Sequence, residues 1–329
     1  MTFVLAFVAS GVVVVLASVA LARYADAIAE GAKLGRVWIG SVLLAGATSL
    51  PELATDIAAV RLGATDLAVG DLFGSSMANM LILALIDLLP PRRQVLQQAT
   101  FDHALAASLA ISLNALAAVL VLVRPESSLL WVGPGSLLLF LAYLAGTRAV
   151  YRHALRGGAT TPLAREERPP LSRRRAVFGF ALAAIVVLVA APAFAWSAKG
   201  IAEITGLGNT FVGTWLVGLA TSLPELVASI AAVRMGAFDL AVGNLFGSNA
   251  LNMAIFFPLD LIQPGSLFAA LDPNHALSGL FAVVLMSLGL AAIVYRAKRR
   301  FAMLEPDSLL MLVIYACALW LLYGRSVGQ

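Results

Sequence analysis

The sequence predicts an all-α integral membrane protein with ten transmembrane helices in two inverted five-helix repeats. The first indication is composition, because 61% of the 329 residues are hydrophobic and 12% are charged, against about a quarter charged in soluble domains. The second is a series of ten mostly apolar runs, each close to the roughly 20 residues that a helix needs to cross a bilayer. The third is a duplicated segment that occurs once in each half of the chain.

The ten runs, taken in order, give the predicted spans. Their limits are 2–22, 37–60, 67–89, 102–123, 128–150, 176–197, 210–233, 239–262, 275–295 and 307–324. The first run has no basic residue before it and is too long for a signal-peptide core, so we interpret it as a spanning helix. An arginine- and proline-rich segment at 151–175 follows the fifth run. We predict that it is a linker between a first repeat at 1–150 and a second at 176–329.

Lysine and arginine decide the predicted orientation, because cytoplasmic loops of membrane proteins carry an excess of both. With the N-terminus outside, 18 of the 22 Lys and Arg residues fall in cytoplasmic connections. We therefore predict that both termini are extracytoplasmic and that the linker is cytoplasmic. Since the basic residues cluster in loops, the net charge of +4 does not indicate a nucleic-acid partner. Arginine outnumbers lysine 19 to 3, which favours the cytoplasmic (inner) membrane of a prokaryote.

The duplicated segment runs from Thr48-Ser49-Leu50-Pro51-Glu52 in the first copy and from Thr221-Ser222-Leu223-Pro224-Glu225 in the second, 173 residues later. Over positions 48–80, 24 of 33 residues are identical to their counterparts, within cores that we place at 40–89 and 213–262. Five spans per repeat are an odd number, so the second repeat enters the membrane from the opposite side. Substrate sites of such transporters lie near the midplane, where the copies meet.

Both copies supply hard oxygen donors. Residues three and four apart share a helical face, so the Thr, Ser and Glu of each motif can converge, as can a Ser–Asn pair on the following helix. The set is Thr48, Ser49, Glu52, Ser75 and Asn79, with Thr221, Ser222, Glu225, Ser248 and Asn252. Oxygen donors of this kind suit Ca²⁺, which takes 6–8 oxygen ligands, better than zinc or copper.

Two acids at membrane depth require compensating charge. Placing one there costs about 2.5–3.5 kcal/mol on insertion scales, and two that face each other add repulsion. The occupied states should hold one Ca²⁺, two or more Na⁺, or two protons. The empty site should resist crossing the membrane, which favours obligatory exchange over a channel or uniporter.

The other intramembrane acids of the duplicated segments have simpler interpretations. We predict that Asp66 and Asp239, which lie where helices begin, are N-caps. Asp87 and Asp260 lie near helix ends, where we expect an interfacial position. Each histidine of the pair His103 and His275 begins a helix, and we expect interfacial placement for both.

Asp56 and Asp71 break the symmetry between the copies. The second copy has Ser229 and Asn244 in their places. We consider both aspartates candidates for lining an outer access path to the site.

The motifs resemble the α-repeats of the sodium/calcium exchanger family, within the wider calcium/cation antiporter superfamily. The resemblance rests on the duplicated T-S-L-P-E and G-(N/D)-L-F-G-S segments, separated by a cytoplasmic loop, and extends over essentially the whole chain. It implies a prokaryotic exchanger that moves Ca²⁺ and Na⁺, works as a monomer in the lipid bilayer, needs no cofactor and is not an enzyme. It also implies that the first and sixth helices slide past an eight-helix core.

Carried over residue by residue, the resemblance implies that Glu52 and Glu225 bind calcium with the backbone carbonyls of Thr48 and Thr221. Sodium would use the same glutamates, the hydroxyls of Thr48, Ser49, Ser75, Thr221, Ser222 and Ser248, and the carbonyls of Ala45 and Gly218. Asn79 and Asn252 would fill the central position. Asparagine at 252, where potassium-dependent relatives have aspartate, argues against potassium dependence.

Alternatives to Na⁺/Ca²⁺ exchange stay open. An H⁺/Ca²⁺ antiporter, or one for another divalent cation, would share the fold, although such relatives tend to carry Gly-Asn-Ala where this chain has Thr-Ser before each glutamate. A non-transporting sensor or scaffold would need a signalling domain, and an enzyme would need a nucleophile at the midplane. Small and hydroxyl residues also serve helix packing, but packing alone does not require duplicated glutamates.

Overall fold

A computed structural model describes residues 2–30, 44–88, 95–98, 103–126, 132–156, 172–234, 236–295 and 306–326. Within these ranges the regular structure is helical and contains no strand. Eight helices of the described ranges are long and apolar enough to cross a membrane. The predicted all-α membrane fold is therefore confirmed, whereas the count of ten spans stays a prediction.

Most helices coincide with predicted spans, but the helices at Thr2–Glu30 and Arg173–Thr205 extend eight residues past the predicted ends, and the helix at Pro134–Arg156 begins and ends six residues later than predicted. In chain order they are α1 (Thr2–Glu30), α2 (Ala45–Thr48), α3 (Leu50–Arg61), α4 (Thr65–Leu88), α5 (Val95–Gln98), α6 (His103–Val123), α7 (Pro134–Arg156), α8 (Arg173–Thr205), α9 (Asn209–Val212), a π-helical turn (Gly213–Val217), α10 (Gly218–Thr221), α11 (Leu223–Arg234), α12 (Phe238–Ile262), α13 (Leu267–Ala270), α14 (His275–Tyr295) and α15 (Pro306–Ser326). The predicted span at 37–60 begins outside the described residues and continues as α2 and α3.

Helices α4 and α12 form the centre of the molecule. Within the most apolar stretch of each helix, 89% of the α4 residues and 72% of the α12 residues are buried, against 22% for α1 and for α8. The two central helices cross in antiparallel directions, since Ser75 contacts Asn252 while Asn79, one turn later, contacts Asn249. The duplicated motifs therefore meet at this crossing.

The π-helical turn packs directly on α4 through glycines. Gly70 and Gly74 of α4 face the segment that contains Gly213, Thr214 and Gly218, and a Cβ on Gly74 would collide with the backbone of Thr214. Small residues allow such close backbone contact between membrane helices. The irregular segment is thus held against the centre by backbone contact.

Helices α1 and α8 form an antiparallel pair at the periphery. Phe3 lies beside Gly200 at one end of the pair, and Tyr24 lies beside Gly179 at the other. A small hydrophobic cluster, separate from the main core, connects this pair to α3. It joins Leu21 of α1 and Val187 of α8 to Ala54 of α3. The pair therefore shares less packing with the centre than the helices around α4 and α12 do.

Asp66 and Asp239 are not N-caps, contrary to the prediction. Each lies in the first turn of its helix, and the N-cap position of α12 is occupied by Ala237. Their carboxylates instead contact buried histidines of the opposite half, at 2.9 Å from Asp66 Oδ1 to His275 Nε2 and 3.1 Å from Asp239 Oδ1 to His103 Nε2. These two equivalent contacts join the halves.

Asp87 and Asp260 anchor short helices to the bundle. Both lie near helix ends, as predicted, and are buried, with 4% and 1% exposed. The Asp87 carboxylate accepts from Leu96 N (3.0 Å) and the Ser308 hydroxyl (2.7 Å). The Asp260 carboxylate accepts from two backbone N–H groups, Leu267 N (3.0 Å) and Gly133 N (2.6 Å), and from the Ser136 hydroxyl (2.5 Å). Both aspartates therefore have a structural role.

Candidate ion-binding site

All twelve residues that the sequence predicts for the site are buried around the crossing of α4 and α12. They are Ala45, Thr48, Ser49, Glu52, Ser75, Asn79, Gly218, Thr221, Ser222, Glu225, Ser248 and Asn252. Burial of so many polar groups requires that hydrogen bonds or ligands satisfy them.

Both proline motifs coincide with a break in a helix. The breaks fall at Ser49, between α2 and α3 (φ −87°, ψ 6°), and at Ser222, between α10 and α11 (φ −82°, ψ −1°). The proline that follows lacks the N–H that a continuous helix would use there. Each glutamate consequently lies in the first turn of a new helix, where the helix dipole favours a negative charge.

Glu225 is hydrogen-bonded by serines from both halves. Its Oε1 lies 3.4 Å from the donating hydroxyl of Ser49 and 3.3 Å from that of Ser248. The two serine hydroxyls are themselves 3.2 Å apart. A residue of the first copy therefore reaches the glutamate of the second.

Glu52 has different surroundings. Neither of its carboxylate oxygens has a hydrogen-bond partner in the described part of the chain. The Ser75 hydroxyl lies beside it and accepts a bond from Asn252 Nδ2 at 2.6 Å. Ser222, the counterpart of Ser49, donates to the Gly218 carbonyl of its own helix at 2.7 Å. Ser49 of the first motif thus contacts the glutamate of the second, whereas Ser222 of the second motif does not contact Glu52 in the same way.

The side-chain oxygens of Asn79 and Asn252 accept no hydrogen bond in the described residues. Asn79 Nδ2 donates to Asn249 Oδ1 at 2.8 Å, and Asn252 Nδ2 donates to Ser75. Neither Asn79 Oδ1 nor Asn252 Oδ1 has a partner among the described residues. Together with both oxygens of Glu52 and Oε2 of Glu225, they make five buried oxygens without a donor.

Asn249 and Asn114 support the site, and the sequence analysis did not assign them this role. Asn249 accepts from Asn79, donates to the Ser76 carbonyl at 3.1 Å, and accepts at its own carbonyl from Asn114 Nδ2 at 3.2 Å. The signal available in the sequence was the polar residue directly after Ser248.

The Ala45 and Gly218 carbonyls are already hydrogen-bonded within their own helices. Ala45 O accepts from Ser49 N at 2.9 Å, and Gly218 O accepts from Ser222 N at 3.3 Å. A carbonyl oxygen has two lone pairs, and here both are engaged, because Ala45 O also accepts from the Thr48 hydroxyl at 3.2 Å and Gly218 O from the Ser222 hydroxyl at 2.7 Å.

The threonine hydroxyls reach across to a polar residue of the opposite half. Thr48 Oγ1 lies 3.3 Å from Asn244 Oδ1, and Thr221 Oγ1 lies 2.7 Å from Asp71 Oδ1. Asp71 and Asp56 are both fully buried. Neither acid therefore lines an open access path in this structure, and their role as path-lining candidates stays a prediction.

No basic side chain balances the buried acids in the part of the chain that the structure describes. Glu52, Glu225, Asp56 and Asp71 are each 0% exposed, whereas every described Lys or Arg side chain is at least partly exposed. Isolated buried charges are very costly. Charge balance must therefore come from bound cations or protons.

Comparison with known proteins places this site in a family. A family model described as sodium/calcium exchanger protein matches residues 2–147 and 175–324. The chain belongs to the sodium/calcium exchanger family. This exchanger-family protein is 32% identical over 271 residues to the inner membrane protein YrbG of Escherichia coli K12, covering 78% of each chain. It is 27% identical over 305 residues to the sodium/calcium exchanger MaX1 of Methanosarcina acetivorans, covering 81% of this chain and 86% of that one.

Two solved structures share the fold of this exchanger-family protein. The sodium-calcium exchanger NCX_Mj matches with a TM-score of 0.64 at 21% identity, over 97% of both chains. The H⁺/Ca²⁺ exchanger CAX matches with a TM-score of 0.67 at 16% identity, over 99% of this chain and 85% of that one. The protein is thus a multi-pass membrane antiporter of a calcium/cation exchanger family, and these two neighbours leave its coupling ion undecided.

Proposed function

We propose that the protein exchanges Ca²⁺ for Na⁺ across the cytoplasmic membrane by alternating access to one site between α4 and α12. The observation that carries this proposal is the set of five buried oxygens without donors, from Glu52, Glu225, Asn79 and Asn252. Unsatisfied buried oxygens are costly, and a hard cation would satisfy all five.

Calcium is the divalent ion that this set favours. Two carboxylates supply two negative charges and the amides add neutral oxygens, whereas Ca²⁺ takes 6–8 oxygen ligands. Five free side-chain oxygens fall just short of that number. The backbone carbonyls of Thr48 and Thr221, beside the two helix breaks, are the ligands that would complete it.

Sodium would occupy the hydroxyl-rich parts of the same site. Ser49, Ser248 and Glu225 already lie in mutual contact, and they would share one sodium ion. The remaining sodium ligands that we propose are Thr48, Ser75, Thr221, Ser222 and Glu52, with the carbonyls of Ala45 and Gly218. A site that exchanges one divalent for several monovalent ions keeps its acids neutralised in both loaded states.

Obligatory exchange follows from the cost of the empty site. Uncompensated carboxylates in a membrane interior are unfavourable, so the empty protein would not change the side to which the site opens. We propose that the change itself is a displacement of the peripheral α1–α8 pair relative to the centre.

The architecture that we propose has ten spans in two inverted repeats, 1–150 and 176–329, joined by the linker at 151–175. The antiparallel relation of α4 to α12, and of α1 to α8, supports the inversion. Helix α7 and the broken α2–α3 segment would be the two spans beyond the eight. Both termini would be extracytoplasmic, and the protein would act as a monomer.

A proton-coupled divalent cation exchanger is the second candidate. It is favoured by one observation: four buried acids have no basic partner among the described residues, and protons could neutralise them as sodium would. The serine hydroxyls around Glu225 favour sodium, because they add oxygen ligands that a proton does not need.

The test uses purified protein in sodium-loaded liposomes, with external sodium diluted and pH equal on both sides. We expect uptake of radiolabelled Ca²⁺ that requires the sodium gradient and is lost by at least a hundredfold in Glu52→Gln and Glu225→Gln. Glu203→Gln is the control, since it removes an exposed carboxylate (61% exposed). Uptake driven only by a pH gradient would assign the second candidate. Substantial exchange in both site variants would refute ion binding by these glutamates.

A further inference from the structure

Two more acids lie buried next to the proposed site. Asp56 lies one turn after Glu52 on α3, and Asp71 lies one turn before Ser75 on α4. Their carboxyl groups lie beside each other. Three of their four oxygens, both of Asp56 and Oδ2 of Asp71, have no partner in the described part of the chain.

The second copy builds the same arrangement from neutral residues. Asn244 Nδ2 donates to Ser229 at 3.4 Å, where the first copy has Asp71 facing Asp56. Asn244 Oδ1 contacts the Thr48 hydroxyl as Asp71 Oδ1 contacts that of Thr221. The fold therefore accommodates a neutral pair at this position, so packing does not require two acids.

Two carboxylates in contact stay charged together only if a cation lies between them, and otherwise one of them takes up a proton. The described residues offer no buried lysine or arginine for this purpose. The hydroxyl of Thr55, the residue before Asp56, is a further buried oxygen without a partner in the described ranges. The three unpartnered carboxylate oxygens thus offer ligands for a cation between the two acids.

We propose that Asp56 and Asp71 form an additional cation site that takes Na⁺. Calcium is disfavoured because it takes 6–8 oxygen ligands and a second divalent ion would be repelled by one held at Glu52 and Glu225. Thr221 lies between the aspartate pair and the proposed exchange site. Its hydroxyl donates to Asp71, and Thr221 is itself one of the proposed ion ligands. The inference rests on the proposed function, because it adds one sodium ion to the same transport cycle.

The experiment measures binding of radiolabelled Na⁺ to the purified full-length protein by equilibrium dialysis at fixed pH, without calcium. The double variant Asp56→Ser/Asp71→Asn reproduces the neutral pair of the second copy. We expect it to bind one sodium ion fewer at saturation while it still binds radiolabelled Ca²⁺, which also shows that it is folded. Glu203→Gln is the matched control and should bind as the unmodified protein does.

An unchanged number of bound sodium ions in the double variant would overturn the proposal. If that variant lost calcium binding as well, Asp71→Asn alone would be measured, and the same loss of one sodium ion is expected. Glu52→Gln separates this inference from the proposed function. If Glu52→Gln left both calcium and sodium binding intact, the proposed function would fail; if only the aspartate variants had no effect, the additional site alone would fail.

Discussion

Two glutamates with the same sequence context have different surroundings. Glu225 accepts hydrogen bonds from serines of both halves, whereas the hydroxyl beside Glu52 is that of Ser75, from its own half, and neither oxygen of Glu52 accepts a well-formed hydrogen bond in the described residues. Likewise, Ser49 reaches across to the opposite half while Ser222 bonds its own helix. Both motifs read T-S-L-P-E, so the difference lies in their conformations and in the residues that surround them. Under the proposed alternating access between inverted repeats, the two copies would exchange these conformations.

The largest expected effect is a difference in disulfide yield between two equivalent serine pairs. They are Ser49 with Ser248, and their counterparts Ser222 with Ser75. In a Cys317→Ser background, Ser49→Cys/Ser248→Cys should form a disulfide in high yield, because the native hydroxyl oxygens are 3.2 Å apart and disulfide formation requires close approach. The counterpart, Ser222→Cys/Ser75→Cys, should remain largely reduced. The yields would be compared by mobility on non-reducing gels after treatment with a membrane-permeant oxidant.

Equal disulfide yields in the two cysteine pairs would contradict the difference between the halves, since they would mean that both have the same conformation. A shift of yield from the first pair to the second on adding Ca²⁺ would support it further. Such a shift would show that the ion selects which copy is closed.

A smaller effect is expected where the irregular segment packs on α4. Gly74→Ala should destabilise the protein by about 1–3 kcal/mol, as overpacking does in tight interiors, because the added methyl collides with the Thr214 backbone. Gly46→Ala is the matched control, since a Cβ there meets no atom within 4 Å. Thermal unfolding followed by intrinsic fluorescence would measure both, and a Gly74→Ala variant as stable as Gly46→Ala would contradict the close packing.

The smallest expected effect separates the two glutamates by stability. Without ions, Glu52→Gln should unfold at a higher temperature than the unmodified protein, because it removes a buried charge that lacks a partner. Glu225→Gln should gain less, since it also alters an acceptor that two serines use. Added Ca²⁺ should reverse the order by stabilising only the unmodified protein. Identical shifts in both variants would mean that the two environments are equivalent.

The helical class, and which polar residues the fold buries together, could be predicted from the sequence because both depend on local signals. Apolar runs located the helices, although two of them continue eight residues beyond the apolar run, and the duplicated polar residues marked the groups that the fold buries. The helix breaks at Ser49 and Ser222 likewise follow from the adjacent prolines, whose missing N–H acts locally. These features need no knowledge of how the halves pack.

Contacts between the halves could not be predicted. The sequence placed Asp66 and Asp239 at helix starts but did not reveal that each faces a histidine of the opposite half. Nor could it show that Ser49 and Ser222 differ, because identical residues in identical motifs carry no difference to detect. Both features arise from the relative position of distant helices, which local propensities do not determine.

The peripheral position of α1 and α8 has a consequence for the physical control of turnover. Most of the apolar surface of both helices faces away from the protein, so their neighbours in a membrane are acyl chains. A displacement of this pair would be resisted mainly by lipid viscosity and by the mismatch between helix length and bilayer thickness. We therefore expect the exchange rate to fall in thicker or more viscous membranes. The affinity for ions depends on the buried residues around the crossing of α4 and α12, so we expect it to be the same in different lipids.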